Sequence, residues 1–295
     1  MQGVLRLKTQ LVILLAGALA AVSLQGKVDV LSGLDFGPLE PREVTVYLPD
    51  AEITATTPVL IALDGQNMGA WRLAEALAGI SALGRQVAPV VVAIPAGRDR
   101  IEEYGMADTP DFAGRGKRAA EFQRFVVGTL LPAVRKRYGL GSDPALTGIM
   151  GSSLGGLAAF DLAWRHPGAV GFAGMFSGSF WWRGEDGSAA VRQASRLAHR
   201  MVRATPEPPS SLRLWFSVGS KEEKDDRDGN GVIDAVQDTA ELVDEVGRRG
   251  WKPGERLAYT LVDGAEHNEA AWARALPGFL AWALPSSDTK RAGFR

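Results

Sequence analysis

Short apolar runs alternate with longer amphipathic segments along most of the chain. The runs are rich in Val, Ile and Leu and are bounded by turn residues, which predicts buried strands. The predicted strands are 44–48, 58–63, 88–95, 145–150, 170–176, 212–218 and 257–262. The predicted helices, which have apolar residues at helical spacing, are 71–83, 117–138, 158–165 and 271–284. This alternation predicts an α/β fold, with a mainly parallel central sheet and helices on both faces.

The N-terminus has the layout of a secretory signal peptide. Arg6 and Lys8 precede an apolar run at 11–22, and the small residues at 18–20 form a cleavage site. The run is too short to span a bilayer comfortably, since a membrane helix needs about 20 apolar residues. We therefore expect a leader at 1–20, a domain at 21–285 and a flexible tail at 286–295. The leader predicts export to the periplasm or the medium, with an uncleaved membrane anchor as the alternative.

Composition narrows the classes of function. The chain has 295 residues, and its formal net charge is −1, so no basic field attracts nucleic acid or an anionic membrane. Cysteine is absent, which excludes disulfides, cysteine-ligated zinc and a cysteine nucleophile. After removal of the leader, no stable membrane span is expected.

A Gly-x-Ser-x-Gly motif stands at 151–155, after a predicted strand and before a predicted helix. This context is typical of a nucleophile elbow, in which a sharp turn exposes the serine hydroxyl. We therefore expect Ser153 to be the nucleophile and the backbone N–H of Leu154 to be an oxyanion donor. The alternative is an idle serine in a glycine-rich turn, and Ser152 has the wrong spacing to the glycines.

A serine hydroxyl needs a base, and the chain has only three histidines. His166 lies at a predicted helix end, where we expect it to cap or pack. His199 lies in a basic helical stretch, where we expect a solvated surface position. His267 follows the last predicted strand, so its loop can present the imidazole over the elbow, and we expect it to be the base.

The third member of a triad should lie between the serine and the histidine, after a strand. The strand at 212–218 leads into an acidic segment. Glu222 is the first choice for the acid, Glu223 is the second, and Asp225 and Asp226 follow. The alternative is that all four are solvated loop charges and that the acid lies elsewhere.

Two further segments are candidates for the active site. The loop at 64–67 ends a predicted strand, so the backbone N–H of Gln66 is the best candidate for the second oxyanion donor. A plain turn is the alternative, because Asp-Gly is a common turn pair. Trp181 and Trp182 are expected either to line a substrate pocket or to pack in the core beside it.

Together these pieces resemble the esterase family that includes esterase D, feruloyl esterases, enterochelin esterases and mycolyltransferases. The likeness extends over about 28–284 and is carried by the segments 60–67, 97–98, 103–104, 121–138, 151–156 and 264–268. The resemblance implies an α/β-hydrolase fold, a serine esterase activity and no cofactor required for the chemistry. We expect the substrate to be a small-molecule ester or an ester of the carbohydrate or siderophore type, although membership alone does not name it, because family members act on varied acyl groups.

The family pattern also implies roles for individual residues. It implies Ser153 as nucleophile, His267 as base, and Gln66 and Leu154 as oxyanion donors. It has an acidic residue three positions after a glycine that follows a strand, which here is Glu222. Family members usually have aspartate at this position, so glutamate is a departure from the pattern.

An acidic segment after the predicted triad acid resembles the start of an EF-hand calcium loop. Its oxygen-bearing residues at positions one, three, five and nine are Asp226, Asp228, Asn230 and Asp234. Gly231 occupies the sixth position, but Gln237 stands where the bidentate glutamate belongs. We expect a structural calcium ion of modest affinity, and a solvated acidic loop is the alternative.

The sequence therefore predicts a serine carboxylic-ester hydrolase that works through a Ser-His-acid triad and an acyl-enzyme. Two rival hypotheses stay open. One is an acyltransferase that passes the acyl group to a sugar or lipid acceptor. The other is an exported, non-catalytic binding protein of the same fold.

Overall fold

An eight-stranded sheet forms the centre of the computed structural model, which describes residues 27–83, 86–209 and 211–286. The strands are β1 (Val28–Leu31), β2 (Val44–Tyr47), β3 (Val59–Leu63), β4 (Val90–Ile94), β5 (Thr147–Ser152), β6 (Phe172–Phe176), β7 (Arg213–Gly219) and β8 (Leu257–Val262). Their order across the sheet is β1-β2-β4-β3-β5-β6-β7-β8. All seven predicted strands are present, and β1 adds an edge strand that the pattern did not indicate.

The sheet is mainly parallel, as predicted. Strands β4, β3, β5, β6, β7 and β8 pair in parallel, and only β1 with β2 and β2 with β4 pair antiparallel. Parallel strands need crossover connections, and helices supply them. The ends of β5, β6, β7 and β8 therefore lie side by side at one edge of the sheet.

Nine α-helices surround the sheet in the described part of the chain. They are α1 (Leu73–Leu83), α2 (Arg100–Glu103), α3 (Ala119–Phe125), α4 (Leu131–Tyr138), α5 (Leu154–Arg165), α6 (Ala189–Ala194), α7 (Leu197–Ala204), α8 (Asp234–Arg248) and α9 (Glu269–Ala283). Alternate residues of β3 belong to two different apolar clusters, because successive side chains point to opposite faces of a strand. Helices α1 and α9 supply one cluster, while α3, α4, α5, α7 and α8 supply the other. Both faces are thus covered, as an α/β-hydrolase fold requires.

The predicted helix at 117–138 is not one regular α-helix. A π-helical segment at Val126–Leu130 separates α3 from α4, and Pro132 stands in the first turn of α4. Proline has no backbone N–H, so it is best tolerated where a helix begins. By contrast, α9 continues through Pro277 without a break in its assignment.

The boundaries of other elements differ from the sequence prediction. Helix α5 begins at Leu154 rather than 158, because the elbow itself forms the helix N-terminus. Helices α2, α6 and α8 were not predicted. The predicted leader at 1–20 lies outside the described residues, as does the predicted tail after Ser286. Among the residues that the structure describes, no helix is both long enough and apolar enough to cross a membrane.

Candidate active site

Ser153 lies in a sharp turn between β5 and α5. Its backbone angles are φ 54° and ψ −125°, a conformation that L-residues rarely adopt and that costs about 1–3 kcal/mol. The turn is tight because Gly151 lacks a Cβ, which would lie 2.4 Å from the Gly155 carbonyl oxygen. The neighbouring strand holds the turn, since the Ser153 N–H donates to the Phe176 carbonyl at 3.0 Å. This is the geometry of a nucleophile elbow.

The N-terminus of α5 lies directly behind the serine. Leu154 is the first residue of the helix, so its N–H belongs to the first turn, where no intrahelical acceptor is available. The same helix end favours negative charge. Leu154 also lines the cavity beside Ser153. An oxyanion role for its N–H stays a prediction with a suitable local geometry.

The loop that carries Gln66 approaches the elbow from β3. Asp64 begins it in the left-handed conformation, with φ 54°. A Cβ on Gly155 would lie 2.8 Å from Asp64 Oδ2, so this loop touches the elbow directly. The Gln66 side chain accepts a hydrogen bond from the Ala96 N–H at 2.9 Å, which ties the loop to the end of β4. The role of the Gln66 N–H as oxyanion donor stays a prediction.

A buried ion pair anchors that loop. Asp64 is 3% exposed and accepts two hydrogen bonds from Arg100, from Nε at 2.6 Å and from Nη2 at 2.8 Å. Its backbone N–H donates to the Tyr104 hydroxyl at 3.2 Å. Burial and the nearby Asp64 carboxylate raise the pKa of Tyr104, so its hydroxyl stays protonated. Arg100 of α2 and the adjoining Tyr104 therefore fix the loop that follows β3.

His267 and Glu222 form a hydrogen-bonded pair. His267 Nδ1 lies 2.9 Å from Glu222 Oε2. The other oxygen, Oε1, accepts from the Gly219 N–H and from the Ser177 hydroxyl, each at 2.5 Å. If the Nδ1 proton is donated to the carboxylate, Nε2 is left as the free base.

Glu223 has a different environment from its neighbour. Its Oε1 accepts from the Ala235 N–H at 2.5 Å in the first turn of α8. Burial raises its pKa, with nearby Asp225 and Asp234 as smaller causes. Of the two candidate acids, the structure brings Glu222 to His267 and uses Glu223 at a helix end.

A cavity of about 340 Å³ joins these residues. Ser153, Leu154, Glu222 and His267 all line it, although they come from the ends of β5, β7 and β8. Ser179 also lines it, and its hydroxyl lies 3.4 Å from the Ser153 hydroxyl. A second cavity of about 440 Å³ shares Trp181 and Glu223 with the first. The second cavity is lined mainly by charged side chains of both signs, including Arg183 and Arg192.

The two adjacent tryptophans lie in different environments. Trp181 is partly buried and lines both cavities, which fits the predicted substrate pocket. Trp182 is fully buried and lines neither cavity. Its ring packs against the backbone of Gly116, where a Cβ would lie 3.2 Å away. The structure therefore corrects the substrate-binding assignment of Trp182, which is a core residue beside the site.

His199 is not the solvated side chain that the basic stretch suggested. It is fully buried, and its Nε2 lies 2.9 Å from the Asp238 carbonyl oxygen. Burial, with the neighbouring Arg196 as a smaller cause, lowers the pKa of His199 well below its usual value. The stretch forms α7, whose inner face packs on α8, and His199 belongs to that inner face. His166 lies within 3.1 Å of Gln123 Oε1, at the end of α5.

The acidic loop is organised by its own hydrogen bonds. The Asp226 carboxylate accepts from the Asn230 and Gly231 N–H groups at 3.1 and 2.8 Å. Asp228 accepts from the Gln237 side chain at 2.9 Å, and Asp234 pairs with Arg227. Within the described ranges, no group of three or more His, Asp or Glu side chains has a geometry that could hold a metal ion. Calcium binding by this loop stays a prediction.

Three residues at the site were missed by sequence reasoning. Ser177 and Ser179 follow β6, and Trp272 lies in the first turns of α9. Position after a parallel strand was a usable signal for the serines, because Ser153 and Glu222 have the same relation to their strands. No sequence signal distinguished Trp272 from the other buried positions of its helix.

Comparisons with known proteins identify relatives of this chain. The model of the family described as "Putative esterase" matches residues 39–283. Uncharacterized protein YbbA of Bacillus subtilis is 23% identical over 251 residues, which are 82% of this chain and 92% of that protein. Iron(III) salmochelin esterase of Escherichia coli O6:H1 is 27% identical over 191 residues, or 61% of this chain and 43% of the relative.

Among solved structures, the enterobactin esterase FES of Shigella flexneri superposes with a TM-score of 0.62 at 19% identity. The match covers 86% of this chain and 59% of that one. The likeness establishes the shared fold. The chain thus spans about half the length of these two esterases.

Proposed function

Because the chain belongs to the "Putative esterase" family of carboxylic ester hydrolases, we propose that it cleaves its ester through Ser153, His267 and Glu222. One observation carries the proposal. The hydrogen-bonded His267–Glu222 pair lines the same cavity as a serine held in an elbow turn. A carboxylate bound to Nδ1 orients the imidazole and stabilises the imidazolium that forms during the reaction.

The proposed reaction has two halves. His267 Nε2 takes the Ser153 proton while Oγ attacks the ester carbonyl carbon. The tetrahedral intermediate then expels the alcohol, which receives that proton from His267, and an acyl-enzyme remains. Water, deprotonated by His267, then attacks the acyl carbon. The second tetrahedral intermediate expels Ser153 Oγ, which takes that proton from His267, and the acid is released. The N–H groups of Leu154 and Gln66 would hold the oxyanion in both halves.

The proposed substrate is a polar small-molecule ester of the siderophore or carbohydrate type. The E. coli relative is an iron(III) salmochelin esterase and the Shigella relative is an enterobactin esterase, which supports a siderophore-type ester. The two adjoining cavities support a substrate with two parts, since Trp181 and Glu223 border both. Trp181 would then contact the group nearest to the scissile bond.

Hydrolysis of p-nitrophenyl esters from acetate to decanoate tests the proposal. We expect the wild type to release p-nitrophenol and Ser153→Ala to lose at least about 10³-fold in kcat, as removal of a triad nucleophile does. Product analysis with an added sugar alcohol identifies the acyl acceptor. Transfer to the alcohol in place of water would establish an acyltransferase. Full activity in Ser153→Ala would refute the serine mechanism, and a folded wild type inert toward every ester would favour a binding protein.

We also propose that the acidic loop holds a structural calcium ion, with Asp226, Asp228, Asn230 and Asp234 as side-chain ligands. The spacing of these oxygens supports it. Isothermal titration of the wild type should show binding that is lost in Asp226→Ala. Absence of heat in the wild type, together with a thermal midpoint unchanged by EDTA, would contradict the site.

The leader pattern supports the further proposal that the protein is exported. Fractionation of cells that express the full chain should find it outside the cytoplasm, shortened by about 20 residues if the leader is cleaved. A full-length product in the membrane fraction would indicate the uncleaved anchor. A full-length product in the cytoplasm would contradict export.

A further inference from the structure

The carboxylate of Glu222 has a third partner beyond the histidine and its own loop. Ser177 Oγ lies 2.5 Å from Glu222 Oε1, and Trp272 Nε1 lies 2.9 Å from Ser177 Oγ. Ser177 is 4% exposed and Trp272 is 7% exposed, so solvent competes little with either bond. The chain of contacts runs from α9, through the end of β6, to the predicted triad acid.

The direction of this chain is fixed by chemistry. An indole N–H can only donate, so it uses an acceptor site of the Ser177 oxygen. An ionised carboxylate can only accept, so the single Ser177 proton points to Glu222. Each bond therefore polarises the next in the same sense.

The backbone of Ser177 has an unusual conformation. Its φ is 51°, a left-handed value that is uncommon for a serine. The Ser177 N–H donates to the Ser217 carbonyl at 2.8 Å, which continues the pairing of β6 with β7 beyond Phe176. The strained turn aims the hydroxyl at the acid, because an extended residue here would continue the strand.

Trp272 also contacts the predicted base. Its ring meets the His267 ring edge-on, with centroids 5.3 Å apart and planes at 86°. One buried side chain thus touches the imidazole directly and reaches the carboxylate through Ser177. The position of α9 is thereby linked to the His267–Glu222 pair.

We propose that Ser177 and Trp272 are positioning residues that lock the Glu222 carboxylate toward His267. The inference rests on the proposed function. Glutamate has one more rotatable bond than aspartate and loses more freedom when it is ordered, so the bonds from Ser177 and Gly219 offset a larger entropic cost here. Gly219 and Ser177 both bind Oε1, so the carboxylate plane is set and Oε2 faces Nδ1.

Variants of both residues, compared with a matched control, test the proposal. Ser177→Ala and Ser177→Gly both remove the hydroxyl, but glycine adopts the left-handed backbone without strain. Trp272→Phe keeps an aromatic ring and removes the N–H. Trp71→Phe is the control, because Trp71 packs 5.6 Å from Trp272 and its Nε1 has no hydrogen-bond partner in the described part of the chain.

We expect both Ser177 variants to lower kcat by about 10- to 100-fold, the range for one hydrogen bond to a charged group. We expect Trp272→Phe to lower it by about 3- to 10-fold, as for a neutral bond. KM should change by less than about threefold, because substrate binding is not the step affected. The proton resonance of His267 Nδ1–H, identified by its absence in His267→Gln, should shift in these variants and stay in place in Trp71→Phe.

The proposal is overturned if both Ser177 variants keep kcat within about twofold, if KM alone changes, or if Trp71→Phe loses as much as Trp272→Phe. If Ser177→Ala fails to fold, Ser177→Gly and Trp272→Phe still test whether these residues position Glu222. Failure of the proposed function is separate, since it would appear in the wild type and in Ser153→Ala before any of these variants is compared.

Discussion

Two adjacent glutamates have different surroundings in the structure. Glu222 turns inward, where Gly219, Ser177 and His267 bind its carboxylate. Glu223 turns to the first turn of α8. Chain order alone left both as candidates for the triad acid, because nothing in a run of acidic residues tells which side chain the loop turns inward.

Amide substitutions at the two glutamates should separate them. Glu222→Gln keeps the size of the side chain but presents an N–H₂ group or a neutral oxygen to His267, which disturbs the imidazole tautomer. We expect kcat to fall by about 10³- to 10⁴-fold, as for other triad acids. Steady-state kinetics on a p-nitrophenyl ester measures this.

The matched variant is Glu223→Gln, which should keep kcat within about tenfold while losing the charge at the start of α8. A reversal of these two effects would move the acid to Glu223. Equal, small effects would place the acid elsewhere.

His199 shows where a charge pattern misleads. The stretch around it is basic, yet one face of α7 packs inward, and the histidine lies on that face. A lone histidine among arginines can lie on the inner or the outer face of a helix. Only the packing of α7 on α8 shows that His199 lies on the inner face.

Burial of His199 predicts loss of stability in mild acid. Its folded pKa is below the ordinary value of about 6.5, so above that pH both the folded and the unfolded chain carry a neutral imidazole. Below it, the unfolded chain takes up a proton that folded His199 does not. The free energy of unfolding should therefore fall with decreasing pH, with a limiting slope of about 1.4 kcal/mol per pH unit for one proton.

Urea unfolding at pH 7.5 and 5.5 measures this effect. We expect His199→Gln to lose less stability than the wild type between the two values. Some pH dependence should persist, since burial also lowers the pKa of His166. An identical pH dependence in the variant and the wild type would show that His199 is not the group responsible.

At the scale of elements, apolar periodicity predicted the strands well and some helices poorly. All seven runs became strands. The five central ones, β3 to β7, are buried on both faces of the sheet, whereas buried and half-buried residues alternate in β2 and most of β8 is exposed or half-buried. Helix α6 has no buried residue, so no stripe of apolar residues predicts it from the sequence. The π-helical turn before Pro132 depends on hydrogen-bond geometry that no residue pattern specifies.

The contact between the β3 loop and α2 also belongs to this scale. Arg100 and Asp64 join two elements that are 36 residues apart, and the loop carries the predicted donor Gln66. The sequence indicated both segments but not their pairing, because an arginine in a polar loop is usually solvated.

Removal of this ion pair should affect both stability and rate. Arg100→Gln leaves the buried Asp64 carboxylate without its two donors, so we expect the free energy of unfolding to fall by about 1–3 kcal/mol. We also expect kcat to fall, because the Gln66 N–H loses its support.

Arg98→Gln is the control, since Arg98 is 89% exposed and pairs with Glu40 at the surface. Its effect should stay within about 0.5 kcal/mol. Equal effects from the two substitutions would contradict the anchoring role.

At the scale of the molecule, topology explains why the site could be predicted at all. Ser153, Glu222 and His267 follow β5, β7 and β8, which are parallel strands whose ends meet at one edge of the sheet. The serine motif after β5 and the single candidates after β7 and β8 are therefore expected to lie close together, at the carboxyl ends of the strands. Ser177 follows β6 between them, and its position after a parallel strand was the one sequence signal that pointed to it, since no motif marks a single serine.

The identity of the nucleophile is the central claim, and covalent labelling tests it most directly. The protein is treated with a fluorophosphonate, digested, and mapped by peptide mass. We predict one adduct per chain, on Ser153, with no adduct in Ser153→Ala and slow labelling in His267→Gln. An adduct on Ser152, Ser177 or Ser179, or ester hydrolysis that continues in protein without an adduct, would contradict the account.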